Sequence, residues 1–287
     1  MCAESQTLSF YSRVEHLAKA FYFDRWKSAY MAMFTAYFDA SGHPDDPNVR
    51  SLTVAGFLAS TDQWSIFDRR WKKILEKYEV PYLHMKEFSH SQGEFVGWDQ
   101  DPKKQQRPKF IGELVTLLQK MMRRSFAQTI SLDDYRENEK QYKIRKIASP
   151  LAITGLRAVR DLVAATKAMH QPLNELLVFF EDGDIDKRNL DDWVNGVLGI
   201  KLHFECKGKI KAFEACDLLA YEHLQAVRKM IPEPGVYALE DLRKSFQRLQ
   251  SIPHVLDGVD HWGIVMNPSL EESTKKMLAF ERRPKIS

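Results

Sequence analysis

The chain has 287 residues, 44% hydrophobic and 28% charged, with 42 Lys and Arg against 39 Asp and Glu for a net charge of +3. This is the balance of an ordinary globular protein of one or two domains; it excludes a strongly basic tail-type binder but permits a local basic patch against nucleic acid. No apolar run approaches the roughly 20 residues of a membrane span, no basic-then-apolar leader is recognisable, and Cys2, Cys206 and Cys216 form no C-x-x-C pair, so a cytoplasmic protein without a disulfide framework is expected.

Residues 7–30 are rich in aromatics, among them Phe10, Tyr11, Phe21 and Trp26. We predict an accessory segment over 1–30 that could cover the surface of a partner, including a second copy of the chain. A core is expected over 31–230 and an extension over 231–287. Within the core, strand signals cover 34–39 and 52–59, joined by the polar loop Gly42–Arg50 with Pro44 and Pro47. Trp64, Phe67, Trp71, Leu75 and Tyr78 recur at helical spacing, predicting an amphipathic helix over 62–79 that Pro81 ends.

The stretch 84–106 reads as irregular and polar, and a second helix is predicted over 108–123, opening at Pro108. These helices suggest an insertion near 62–124. A strand over 125–132 and a charged segment over 133–147 follow. Ser149-Pro150 then supplies a hydroxyl N-cap and a first-turn proline for a helix to about 169. Leu176–Phe180 is a continuous apolar run, the pattern of a central strand covered on both faces. A helix at 187–197, a strand at 201–205, a helix at 210–229 and a weaker helix at 238–250 complete the pass. Strands that open the chain and later alternate with helices predict an α/β core with a mixed sheet.

Three acidic positions carry the chemistry. Asp39 stands where the first strand gives way to Ser41-Gly42, Glu181, Asp182 and Asp184 end the apolar strand, and Asp217 interrupts an apolar helical face with Glu214 one turn before it. Aspartate is depleted in strands and costly to bury alone, whereas at a strand end it sits on a rigid element facing a cleft. Functional groups of open α/β sheets gather outside the carboxyl ends of strands. If the strands bearing Asp39 and Glu181 are neighbours, their carboxylates converge. Such a set suits one or two hard ions, Mg²⁺ or Mn²⁺, which prefer carboxylate and water oxygens and serve phosphodiester hydrolysis. Lys207, Lys209 and Lys211 lie just upstream of Asp217, placed to meet phosphate or to neutralise the acids.

Simpler roles exist for each residue. A strand-end aspartate also forms turns, Glu181-Asp-Gly-Asp184 is a common loop composition, Asp217 could be paired with a lysine, and His84 reads as structural.

The ordered motifs resemble the domain-of-unknown-function 3800 family: Tyr37-Phe-Asp-Ala-Ser-Gly42, Gly56-Phe57, a Trp-bearing helix, Leu83-His-Met-Lys-Glu87, Phe180-Glu-Asp-Gly-Asp184 and Ala215-Cys-Asp-Leu-Leu-Ala-Tyr221. The resemblance spans about 34–230. It implies a ribonuclease-H-like mixed five-stranded sheet flanked by helices, with the first and fourth strands adjacent. It also implies metal-dependent phosphodiester cleavage, with metal ligands at Asp39, at Glu181 or Asp182, and at Asp217. Two departures stand out. The family's first motif usually carries Glu where this chain has Ala40, and often Gln where Glu214 stands. Strand alternation turns a neighbour of Asp39 to the opposite face, and Glu214 could restore a carboxylate.

The leading expectation is a metal-dependent nuclease or phosphodiesterase. Asp39, Glu181 and Asp217 are its catalytic residues and ligands, Asp182 and Glu214 are reserve ligands, and nucleic acid is the partner. The alternatives are a non-catalytic nucleic-acid-binding or protein-interaction module on a degenerate core, which Ala40 favours, and a metal-free carboxylate-pair glycosidase.

Overall fold

The strand signals resolve into one sheet. The computed structural model describes residues 33–183, 186–230 and 239–253, so the N-terminal segment, Asp184 and much of the C-terminal extension lie outside the described residues. Strands β1 (Phe34–Ser41), β2 (Ser51–Ser60), β3 (Arg124–Ser131), β4 (Leu176–Glu181) and β5 (Leu202–Glu205) run in the order β3-β2-β1-β4-β5. β2 is antiparallel to both β1 and β3, while β1, β4 and β5 are parallel. The chain therefore has the α/β, ribonuclease-H-like mixed five-stranded sheet that the motifs implied, and its first and fourth strands are adjacent.

Alternation along the strands sends side chains to two cores. Tyr37, Ala55, Phe57 and Phe179 meet helices α1 (Thr61–Lys77), α3 (Lys103–Met121) and α7 (Lys211–Met230) through Trp64, Phe67, Trp71, Phe110 and Phe213. Ala36, Phe38, Val54, Val178 and Phe180 meet α5 (Pro150–Ala168) and α6 (Lys187–Leu198) through Val159, Leu162, Leu190 and Val194. Covered on both faces, β4 needs no polar side, which is why it reads as an unbroken apolar run. Each large side chain buried this way is worth roughly 1.5–3 kcal/mol. The Trp64 indole also donates to the Thr35 carbonyl at 2.8 Å, fixing α1 across β1. Gly56 opposes Phe38, and a Cβ there would stand 2.2 Å from the Tyr37 carbonyl oxygen, so the β1–β2 approach demands glycine.

Local signals place the helix starts. Ser149 Oγ accepts the Ala152 N–H at 3.1 Å with Pro150 in the first turn of α5, as its sequence predicts. Elsewhere the sequence expectation is corrected. The segment taken as irregular contains α2 (Met85–His90), a single turn and a half with only Met85 and Phe88 buried, too short to show a period. Helix α3 begins at Lys103, with Pro108 inside it rather than at its start. The charged segment contains α4 (Leu132–Tyr142), whose buried residues are only Leu132 and Tyr135. A short α8 (Lys244–Leu249) packs on α3, where Arg248 donates to Gly112 O at 3.3 Å and to Thr116 Oγ1 at 2.6 Å. Among the described residues no helix is long and apolar enough to cross a membrane.

Candidate functional site

Parallel pairing of β1 and β4 sets Tyr37 opposite Phe179. Two residues further on, Asp39 and Glu181 leave their strands on the same face, the one that α7 crosses. The Cys216 thiol donates to the Tyr37 carbonyl at 3.1 Å, which holds this part of α7 against β1 and brings Asp217 beside Asp39. All three acids line a cleft of about 570 Å³ at the carboxyl end of the sheet. The convergence that sequence alone had to assume follows from strand order and register.

The centre of the cluster is a lysine. Asp39 is 4% exposed; its Oδ1 accepts the Ala40 N–H at 2.8 Å, and its Oδ2 lies 2.6 Å from Lys207 Nζ. The same ammonium lies 3.4 Å from Asp217 Oδ2, which also accepts the Met85 N–H at 2.8 Å. Burial pushes the Asp39 carboxyl up to about 7; Lys207 opposes the shift, while the charges of Asp217 and Glu181 add to it. Burial works against the Lys207 charge, yet Asp39 and Asp217 together hold its ammonium above the ordinary lysine range.

The other sequence-predicted residues are engaged elsewhere. Glu214 is 2% exposed: Oε2 accepts the Trp71 indole N–H at 2.8 Å and the Leu83 N–H at 2.9 Å, and Oε1 pairs with Lys211 at 2.5 Å. Lys211 also donates to Pro81 O at 3.0 Å, so it is held at the base of α7 rather than offered to phosphate. Lys209 is exposed. Asp182 pairs with Lys187, so of the two strand-end acids it is Glu181 that faces the cleft. Ala40 packs with the opposite core, as strand alternation predicted, so the departure at this position falls on the face away from the Asp39 carboxylate.

Sequence reasoning passed over the rim. His43, His84, Lys86, His90 and Arg228 border the same cleft as the acids. Glu214 and Asp217 accept the N–H groups of Leu83 and Met85, and this double grip sets His84, the residue between them, at the cleft. His84 Nδ1 lies 3.1 Å from Glu87 Oε1, while Glu87 Oε2 accepts from Tyr82 Oη at 2.9 Å. Leu83-His-Met-Lys-Glu87 was visible as a motif, but nothing local marked His84 as facing a site. The loop bearing His43 is tied down by Arg136 Nη2, which donates to the carbonyls of Pro44, Asp46 and Val49 at 3.3, 2.9 and 3.0 Å.

The donor set suits a hard cation, since it is built of carboxylates from three rigid elements and contains no thiolate. A cation already stands between two of them in the form of the Lys207 ammonium. Among the described residues no three His, Cys, Asp or Glu side chains stand close enough to hold one ion as they are.

No family model matches the chain, and no curated protein matches it. Similar solved structures include ribonuclease HII of Archaeoglobus fulgidus in its complex with PCNA, at 16% identity over 88% of this chain and 92% of that one, with a TM-score of 0.38. Ribonuclease H2 of Pyrococcus horikoshii OT3 is 12% identical over 88% of this chain and all of that one, with a TM-score of 0.41. A point mutant of Bst-RNase HIII is 11% identical over 99% of this chain and 78% of that one, also with a TM-score of 0.41. The sheet order, not these likenesses, carries the fold assignment.

Proposed function

We propose that this chain is a metal-dependent hydrolase of phosphodiester bonds in nucleic acid, built on the pattern that the domain-of-unknown-function 3800 resemblance suggests. The observation that supports it most is the meeting of Asp39, Glu181 and Asp217, from β1, β4 and α7, around a cation in one cleft. Asp39, Glu181 and Asp217 would hold the ion, of the Mg²⁺ or Mn²⁺ class. When bound, such an ion supplies charge stabilisation at phosphoryl oxygens and a more acidic water. The chain's own residues do the rest. Lys86 and Arg228 on the rim offer positive charge to a backbone of phosphates. His84, oriented by Glu87, presents its second ring nitrogen for proton transfer. Asp182, Glu214 and Lys211 are assigned no part in the chemistry, because their partners are internal.

The test is Mn²⁺-dependent cleavage of labelled DNA and RNA by the wild type, Asp39→Asn and Asp217→Asn. Each substitution should lower the rate by about 100-fold or more, the scale on which electrostatic groups at a reacting centre act. Wild-type rates in both variants would sink the assignment.

A second reading has its own observation. Lys207 already neutralises Asp39, as it would in a core that had given up catalysis and kept binding. Salt-sensitive nucleic-acid binding together with no divalent-ion binding by calorimetry would favour it.

A further inference from the structure

Helix α7 continues past the acids, and the side that carries Asp217 keeps facing the cleft. Tyr221, Leu224, Gln225 and Arg228 follow at three- and four-residue spacing and line the same cavity. From Asp217 to Arg228 the helix rises about 16 Å, and Tyr221 stands roughly 6 Å along the axis from Asp217. The stripe changes character along its length: an acid, a half-buried aromatic ring, a half-buried amide, and an exposed guanidinium. The core side of the same helix, with Phe213, Ala220 and Val227, is apolar throughout.

Positive charge gathers around the ring. The Arg243 guanidinium carbon lies 5.6 Å from the Tyr221 ring centroid, and this side chain is nearly half exposed although its Nε lies 3.1 Å from Glu222 Oε2. Lys86 and His90 border the cleft from α2, whose end is held by Arg107 donating to Phe88 O at 2.6 Å and to Ser91 Oγ at 2.9 Å. Burial lowers the Arg107 guanidinium, Asp99 opposes that shift, and the charge of Arg243 adds to it, so the two cations bear on each other. Cations gathered beside an aromatic ring are the combination that binds single strands, whose phosphates meet the charge and whose bases stack on the ring.

We infer that the cleft takes one unpaired strand of nucleic acid laid along α7, with a base next to the scissile phosphate stacked on Tyr221 and a phosphate further along meeting Arg228; the inference rests on the hydrolase reading above. Two points favour a single strand over a duplex. The cleft, at about 570 Å³, has the size of a site for one small ligand rather than for the width of a double helix. A duplex also keeps its bases stacked on one another, so Tyr221 would meet only its sugar-phosphate edge. Stacking tolerates any base, so the strand is held with little regard to sequence.

Fluorescence anisotropy of the full chain in metal-free buffer tests this. The probe is a fluorescein-labelled, mixed-sequence DNA strand of about 16 nucleotides, alone and paired with its complement. The single strand should bind about tenfold or more tightly than the duplex. Tyr221→Leu should weaken single-strand binding by roughly tenfold, the scale of one stacked base, while Tyr221→Phe keeps the ring and should match wild type. Arg228→Gln, at an exposed position, should weaken binding several-fold and lower the salt slope by about one. If Tyr221→Leu does not fold, the strand-to-duplex ratio and Arg228→Gln decide. Equal binding of strand and duplex, or no binding of either, would overturn the inference. So would wild-type affinity in Tyr221→Leu, a Tyr221→Phe variant as weak as Tyr221→Leu, or an unchanged salt slope in Arg228→Gln. None of these variants alters the acids, so the Mn²⁺-dependent cleavage assay on Asp39→Asn and Asp217→Asn decides the hydrolase reading separately.

Discussion

Two lysine–carboxylate pairs lie near the start of α7, one within its first turn and one joining the turn before it to β1, and they do different work. Lys211–Glu214 is sealed. Glu214 is 2% exposed, both of its oxygens receive donors, and those donors come from the Trp71 indole, the Leu83 backbone and Lys211. Lys207–Asp39 faces the cleft, shares its ammonium with Asp217, and has room for a newcomer. The difference lies in unspent acceptor capacity and access, not in residue type. A buried carboxylate that takes three donors away from the cleft holds structure; one that takes two beside a cavity is where an ion or phosphate can act.

Isosteric neutralisation should separate the two pairs most sharply. Glu214→Gln turns an amide nitrogen toward Lys211 or toward the Trp71 and Leu83 donors, with nowhere to relax. We expect a loss of about 3 kcal/mol, in the range for a broken buried charged pair. For a domain of this size that is a fall of roughly 6–12 °C in melting temperature. In Asp39→Asn, Lys207 can lean to Asp217, and the burial that raises the Asp39 carboxyl is relieved. Its stability should change by less than about 1 kcal/mol while activity and ion binding collapse. Melting curves and Mn²⁺ titrations on both variants check the pairing. Equal loss of stability in the two would erase the distinction.

How much of this could be read beforehand depends on sequence distance. The apolar strands, the strand-end placement of Asp39 and Glu181, and the acid on the face of α7 are local patterns, and all were legible. So was the opposite facing of Ala40, because strand alternation is local. The adjacency of β1 and β4 came from ordered motifs rather than from any single stretch. The Lys207–Asp39 pair spans 168 positions, and no local signal distinguishes Lys207 from Lys209 or Lys211. Glu214 looked like a reserve ligand for the same reason, since its partners Trp71 and Leu83 lie more than 130 positions away. Helix α2 escaped notice because six residues with two buried positions carry no measurable period.

The loop beside the cleft offers a smaller contrast, between groups that act and groups that position. Arg136 pairs with Asp133 rather than with Asp39, Glu181 or Asp217, yet it gathers three carbonyls of the segment carrying His43 and Asp46. Arg136→Ala should raise the KM for nucleic acid several-fold with kcat nearly unchanged, and should leave the Mn²⁺ count at the wild-type value. A fall in kcat with KM unchanged would move this loop into the chemistry.

The mildest test uses a third acid of α7. Glu222 is fully buried, with Arg243 Nε 3.1 Å from its Oε2, and here the cation is nearly half exposed. Burial raises the Glu222 carboxyl above its ordinary 4.5, and Arg243 only partly offsets the shift. The sign follows from linkage. Below about 4.5 the folded and unfolded states both hold the proton, so the stabilising contribution is fully present. As pH rises, the unfolded chain releases its proton first and the folded chain keeps it, so stability falls until the folded carboxyl ionises too. Glu222→Gln has no proton to lose. Its melting temperature relative to wild type should therefore climb from pH 4.5 upward and then level off. Melting curves across that range, with Lys211 and Lys207 intact, check it. A difference independent of pH would overturn the raised Glu222 carboxyl and leave only its packing and its pairing with Arg243. A difference that climbs would show that burial, which Arg243 only partly offsets, governs this carboxyl, as burial also raises that of Glu214.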